Sequence, residues 1–376
     1  MNNLFNIITK LRDSNNDEII NNLKENYNLK SNIQDNLIIL NYIRNKTDLT
    51  IENFNYCRGL ILDKNNNSIV CSTLNAKLDN TSFQERFDFD NCIVEKYYDG
   101  TMINLFYNNN KWNSSTKHKI NSEDSHWSSS KNFNELFNEC SNINYDNLDI
   151  NLCYSFVIQH IENRIVSKIG KNQLILVCVK NNITNKFIND IDIKMIGDNI
   201  IKPIIITSYS SYDGILDNIK TLDYNESGYM IYDKTREYRT RYMSNEYKKV
   251  ELLLQNTPYI LKTLTLLSEK QLIQYLNYYP ENNLYLNELS VLSRRFVGSL
   301  FYYYVQVKVK KIYTEIPLHI KKQIFNIHNI YLSRCKTLSK EHSKISHRIV
   351  KAYFHNLDNK ERYRLIIAHK NSLENK

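Results

Sequence analysis

Apolar residues three and four apart at Leu4, Ile7, Ile8 and Leu11 predict a short helix, and the chain to residue 35 reads as helix and loop. From Leu37 the period changes. Leu37 to Ile43 is a β-branched, apolar run and predicts a strand. Gly59 to Leu62 and Ser68 to Cys71 flank an Asp-Lys-Asn-Asn-Asn turn and predict a hairpin. Thr101 to Tyr107 and Lys111 to Thr116 flank Asn108, Asn109 and Asn110 and predict another, because Asn tolerates left-handed backbone. Cys153 to Ile158 and Leu174 to Lys180 predict two further strands. Gly228 to Tyr232, a turn at Asp233, Lys234 and Thr235, and Arg236 to Tyr242 predict a third hairpin.

Beyond Lys248 strand signals mostly stop. Helical spacing covers Val250 to Leu267, Glu269 to Tyr278, Tyr285 to Lys311, Pro317 to Leu338 and Lys340 to Phe354. The pattern predicts an α+β domain over 1–248 and a basic, all-helical domain over 249–376. There is no internal repeat.

Composition sharpens this only in places. The 376 residues are 42% hydrophobic and 24% charged, an ordinary globular balance. Tyr is abundant at 28 copies, whereas Gly (7) and Pro (4) are scarce, so each glycine carries more information than usual. Richness in Asn, Lys and Ile follows from an AT-rich genome and would suit a large DNA virus, with the protein in host cytoplasm. Seven cysteines without a C-x-x-C pair predict reduced, mostly buried thiols and no zinc site. No apolar run reaches the ~20 residues a membrane span needs, and the start lacks the features of a secretory signal; the expectation is a cytosolic protein with no membrane partner.

Charge divides the chain. From Val291 onward there are 18 Lys and Arg against 5 Asp and Glu, so this stretch carries +13 of a net +9 and the remainder −4. A basic back half points to an anionic partner. Lys308, Lys310 and Lys311 follow Phe301-Tyr302-Tyr303-Tyr304, and cations interleaved with aromatics suit an RNA backbone with base stacking. Most of Phe301 to Tyr304 is nonetheless expected in the core. Six histidines beyond residue 318 lack metal-ligand spacing and read as surface or hydrogen-bonded groups. Neither a P-loop nor a Rossmann glycine string is present.

Three glycines sit in chemically suggestive strings: Cys57-Arg58-Gly59-Leu60, Tyr98-Asp99-Gly100-Thr101 and Glu226-Ser227-Gly228-Tyr229. With Lys77, Asn163-Arg164-Ile165-Val166 and Arg239-Thr240-Arg241, their order and spacing resemble the ATP-dependent RNA ligases of the bacteriophage tRNA-repair type, within the covalent nucleotidyltransferases. The resemblance runs from about Leu37 to Tyr247. It implies an antiparallel, ATP-grasp-like nucleotidyltransferase β core, ATP and Mg as cofactors, RNA as partner, and a helical C-terminal domain linked to tRNA recognition.

The implied reaction forms a lysyl-AMP, passes AMP to an RNA 5′-phosphate, and seals the strand with a 3′-hydroxyl. The attacking lysine must be neutral, and cations must stabilise the phosphate charge. Here the motifs depart from the pattern. In Glu95-Lys96-Tyr97-Tyr98-Asp99-Gly100, where the resemblance implies Lys96 and Asp99 as the catalytic residues, the nucleophile position holds Tyr97, and Lys96 stands one residue early. Strand side chains alternate, so Lys96 points to the opposite face unless a β-bulge before Asp99 restores its aim. Ser155 stands where the family has Glu. Glu226, the implied metal ligand, is one residue before its expected place. Arg239 and Arg241 replace two lysines and share one strand face; they keep charge for phosphate but cannot act as bases. Arg58, Lys77, Gly100 and Ser155 match nucleotide-binding positions, and Lys117 and Lys119, which match basic positions after the second hairpin, are the RNA contacts the resemblance implies there. The resemblance and these departures together predict an RNA-ligase-like protein that binds RNA, with or without ATP, and whose ligase chemistry is impaired or lost. An active ligase using Lys96, and a scaffold that keeps only the fold, stay open at this point.

Overall fold

A computed structural model describes residues 3–127, 129–255, 257, 259–312, 315–337 and 343–374. The chain divides into two compact units, residues 1–251 and 252–376. The first is mixed α+β with antiparallel sheets, and the second is helical.

The first unit opens with α1 (Leu4–Leu11) and α2 (Asn16–Tyr27). Asn15 caps α2 in a reciprocal box with Glu18, and Asn28 ends it in left-handed backbone. The strands β1 (Leu29–Gln34), β2 (Leu37–Tyr42), β3 (Arg58–Asp63) and β4 (Ile69–Cys71) form an antiparallel sheet in chain order. Ile38, Leu40, Leu60 and Leu62 pack under the two helices, while Leu37, Ile39 and Ile61 face Phe106 and Cys153 on the other side. β2 is thus covered on both faces, which is why it reads as an unbroken apolar run. β1 corrects the expectation of helix and loop to residue 35. It is an edge strand with every second position in solvent, and its polar residues hide the strand signal.

Next come α3 (Asn80–Arg86), β5 (Cys92–Lys96), β6 (Thr101–Asn108), β7 (Lys111–Thr116), α4 (Phe133–Cys140), β8 (Leu152–Gln159), β9 (Gln173–Asn181), α5 (Ile193–Ile196) and β10 (Ile200–Ile201). A five-stranded sheet runs β10-β9-β8-β6-β7, antiparallel except for β10 beside β9. Asn109 and Asn110 both take left-handed backbone at the β6–β7 turn, as expected of this Asn-rich loop.

The chain of this unit closes with α6 (Tyr212–Thr221), β11 (Gly228–Asp233), β12 (Arg239–Met243) and α7 (Asn245–Leu253). β12, β11 and β5 form a three-stranded antiparallel sheet. β12 starts at Arg239 rather than Arg236. Asp233 accepts from the backbone N–H groups of Thr235 and Tyr238, which holds 233–238 as a longer turn. One face of this sheet packs Val94, Tyr229, Ile231 and Tyr242 against Phe83 of α3 and Ile215 and Ile219 of α6. Its other face gathers Met230, Tyr232, Ile93 and Tyr97 with Leu74 and Val177, and a cavity opens there.

The second unit contains α8 (Ile260–Leu266), α9 (Glu269–Tyr278), α10 (Asn283–Tyr304) running on into a wider π-helical turn at Val305–Val309, α11 (Leu318–Thr337), α12 (His347–His355) and α13 (Asn359–Glu374). Phe296, Leu300, Ile324, Val350, Phe354 and Leu365 build its core. Helix α13 went unpredicted; its buried stripe of Leu365, Ile366 and His369 is narrow. The expected helix over Val250 to Leu267 is divided between α7 and α8. Tyr304 is buried, Phe301 and Tyr303 pack against the core, and Tyr302 is exposed. Lys340, His342 and the end of the predicted fourth helix at Leu338 lie outside the described residues. Among the described residues, no helix is long and apolar enough to cross a membrane. All seven cysteines are free, five of them buried.

Candidate functional site

A cavity of about 450 Å³ lies within the first unit, where the three sheets converge. Eight cationic residues line it: Lys30, Arg44, Arg58, Lys77, Lys96, Lys117, Arg239 and Arg241. Among the described residues, Glu95 is the one carboxylate in the lining, and it is already engaged in an ion pair with Arg236. Tyr42, Tyr97, Tyr98 and Tyr232, with Met102, Val157 and Met230, supply aromatic and apolar wall.

Local backbone chemistry explains how these cations converge. Arg58 lies opposite Asn41, but Leu60 lies opposite Leu40, so Gly59 is an extra residue in β3. Without the bulge, Arg58 would share the helix-facing side with Leu60. The bulge turns it inward instead. Gly59 has φ +81, and a Cβ there would sit 3.1 Å from the Lys117 carbonyl oxygen. The Arg-Gly pair therefore brings Arg58 and Lys117 to one wall.

Lys77 lies in an irregular segment between β4 and α3 that is pinned on several sides. Thr73 and Ser155 hydroxyls lie 2.9 Å apart, the Lys180 ammonium donates to Asn75 Oδ1 (2.9 Å), and Arg239 Nε donates to the Asn75 carbonyl (2.9 Å). Arg239 and Arg241 are two apart on β12 and face the cavity together, as strand alternation requires.

Burial, with Arg241, Arg44, Arg239 and Arg58 around it, pushes the Lys77 ammonium down to about 8. Burial, with Arg58, Arg239 and Lys30, brings Lys117 down to about 8 as well. Arg58 is lowered by burial and by Arg239 beside it. So much like charge at one place, with no free carboxylate in the lining, is what an anion site requires.

Tyr97 occupies the inward position. β5 pairs with β11 without a register shift, Lys96 opposite Tyr229, and the Tyr97 N–H continues the ladder to the Gly228 carbonyl. The bulge that would re-aim Lys96 is absent. Lys96 shares the face of Val94 and Tyr229, and its ammonium lies 5.9 Å from the Tyr98 ring, at the cavity edge. Tyr97 points in, and its hydroxyl accepts from Arg241 Nη1 (2.9 Å). Burial raises its phenol above the ordinary value, partly opposed by Arg241.

Other sequence-predicted residues lie elsewhere. Asp99 is buried but does not line the cavity. Its carboxylate accepts from the Val166 N–H (2.8 Å), the Ser167 N–H (2.9 Å) and the Tyr247 hydroxyl (2.8 Å), so it clasps chain segments together. Gly100 does line the cavity. Ser155 is fully buried between Thr73 and Asn104 and does not line the cavity. Glu226 and Lys119 are exposed and outside the lining. Lys308, Lys310 and Lys311 belong to the second unit; Lys308 lies 4.8 Å from the Phe325 ring, and the other two are exposed.

The donor set does not fit the magnesium that the resemblance implies. Magnesium takes oxygen ligands and is anchored by one or two carboxylates. The cavity offers Glu95, which Arg236 holds, while Glu226 faces solvent. Among the described residues, a cluster with metal-ligand spacing occurs away from the cavity at Glu139, His160 and Glu162. There Lys131 bridges both carboxylates at 2.9 and 2.7 Å.

Sequence reading missed Lys30 and Arg44. Lys30 is on β1, the strand read as helix or loop, and Arg44 follows β2 by two residues with no motif around it. Lys180 was also missed. It is fully buried among Ser72, Asn75 and Asn185, and looks in sequence like the polar end of a strand.

No protein-family profile matches the sequence, and a search of curated proteins finds no match. Among solved structures, the chain is similar to a protein of Aquifex aeolicus assigned as an ATP-dependent DNA ligase. The identity is 14%, 78% of this chain and 80% of that chain are covered, and the TM-score is 0.43. It is also similar to a mutant of the Naegleria gruberi RNA ligase with ATP and Mn, at 11% identity over 43% of this chain and 51% of that chain, with a TM-score of 0.33. An apo mutant of the same ligase matches at 12% identity over 47% and 57%, with a TM-score of 0.35. The chain thus spans about half the length of the Naegleria protein.

Proposed function

We propose that residues 1–251 are a ligase-like nucleotidyltransferase core that binds a nucleoside polyphosphate, with ATP as the reference ligand, and has lost transfer of the adenylyl group. The observation that carries this reading is the cation-lined cavity with Tyr97, rather than a lysine, aimed into it. Lys77, Lys117, Arg239 and Arg241 supply charge for phosphates, and the planar guanidinium groups suit bidentate contact. Tyr42, Tyr232 and the apolar wall offer a surface for a base. A phenol held protonated by burial is a poor nucleophile toward phosphorus, and Lys96 is on the wrong strand face.

RNA is the proposed polymer partner, and tRNA the proposed kind of RNA. The basic stretch beyond Val291, including Lys308, Lys310 and Lys311, supports backbone contact. Incubation with α-labelled ATP and magnesium tests the first claim. Saturable, reversible binding with no covalent label from pH ~6 to 9 is expected, a range that covers the ~7–8 to which a working site tunes its attacking lysine. A label that Lys96→Ala abolishes would establish an active ligase instead. RNA binding that weakens steeply with salt is expected for the second claim, and salt-independent or absent binding would leave a scaffold.

A further inference from the structure

We infer that this cavity binds the polyphosphate as the free anion, with protein cations standing in place of divalent metal. The inference rests on the nucleotide reading above and specifies the ionic form of its ligand.

In an adenylylating enzyme, metal offsets phosphate charge and carboxylates hold the metal. Here both parts have changed together. Of the carboxylate positions that the resemblance implies, one is Ser155, buried and saturated by Thr73 and Asn104. Another is Ser227, buried with its hydroxyl 3.2 Å from that of Ser167. Glu226, beside it, is in solvent. Glu95 remains, and Arg236 holds it.

The same cavity concentrates Lys77, Lys117, Arg58, Arg239 and Arg241. A divalent ion entering it meets fixed charge of its own sign and finds no unpaired carboxylate in the lining. The anion alone meets complementary charge. One donor is conspicuous: Arg241 Nε is buried and has no hydrogen-bond partner, although Nη1 of the same side chain donates to Tyr97. A buried unpaired donor on a cationic wall calls for an acceptor such as a phosphate oxygen. The lowered ammonium groups of Lys77 and Lys117 agree, because an arriving anion restores the charge that the Arg neighbours disfavour.

Isothermal titration of the full chain with ATP, and separately with tripolyphosphate, in EDTA and in excess magnesium, tests the inference. ATP should bind roughly threefold or more tightly in EDTA than in magnesium, since metal halves the charge the wall can meet. Tripolyphosphate should follow the same order. Lys77→Gln, checked for native circular dichroism, should weaken ATP binding in EDTA by about tenfold, the loss of one charge-assisted contact. Glu226→Gln should leave both affinities unchanged. ATP binding that requires magnesium, or a magnesium response lost in Glu226→Gln, overturns the inference and leaves the nucleotide reading standing. No ATP binding under either condition overturns the reading itself.

Discussion

Asp99 looks catalytic in sequence and structural in three dimensions, and replacing it separates the two. The residue is 3% exposed, and its carboxylate accepts hydrogen bonds from the Val166 N–H, the Ser167 N–H and the Tyr247 hydroxyl at 2.8 to 2.9 Å. Asp99→Ala leaves those three donors buried without an acceptor. Each such loss costs about 1–3 kcal/mol, and local relaxation recovers part, so a net loss of ~3–5 kcal/mol is expected. In a unit of this size each kcal/mol shifts the midpoint by about 2–4 °C, which predicts a fall of about 6–20 °C. Thermal unfolding followed by circular dichroism reads this directly. Folded Asp99→Ala at low temperature should still bind ATP within about twofold of the parent protein, because the carboxylate does not line the cavity. A variant as stable as the parent but unable to bind ATP would refute the clasp and return Asp99 to the site.

Other consequences follow from the same geometry. ATP affinity should fall by roughly tenfold or more between pH 7 and 9, because Lys77 and Lys117 carry charge below their pKa and lose it above; constant affinity across that range in isothermal titration would contradict the cationic wall. Lys180 is pushed down to about 8 by burial from an ordinary 10.5, so the unfolded chain holds its proton longer and this group makes stability rise with pH between those values. Lys180→Met should flatten that part of the rise in urea titrations, and an unchanged profile would show that Lys180 does not titrate there. Lys96→Ala should alter ATP affinity by less than about twofold, since Lys96 lies on the far strand face; a larger loss would place its ammonium in the site. Native thiol titration should find Cys335 fast, Cys92 slower and the five buried thiols silent until denaturant is added.

Much of the fold could be read from period and punctuation. The hairpins at Asn65-Asn66-Asn67 and Asn109-Asn110 are specified locally, by turn residues between strands that bury at least one face. β1 and α13 were invisible for the opposite reason: each buries a narrow stripe and is held by partners distant in sequence. In the site, alternation alone placed Tyr97 inward and Lys96 outward, and it put Arg239 and Arg241 on one face. The Arg58-Gly59 string was visible, but its meaning was not. That glycine makes the bulge that swings the arginine from the helix-facing side to the cavity, and a bulge depends on the register of the neighbouring strand. Asp99 misled because burial and three converging donors are properties of the folded chain. Lys30 and Arg44 carry no motif; both are exposed, and only the folded chain brings them to the cavity lining.

The most direct test of the account is a crystal structure of the full chain grown with ATP in EDTA. The account predicts intact ATP with its phosphates among Lys77, Lys117, Arg239 and Arg241, an acceptor oxygen on Arg241 Nε, and Tyr97 unmodified. AMP bonded to a lysine, or ATP bound away from this cavity, would contradict it.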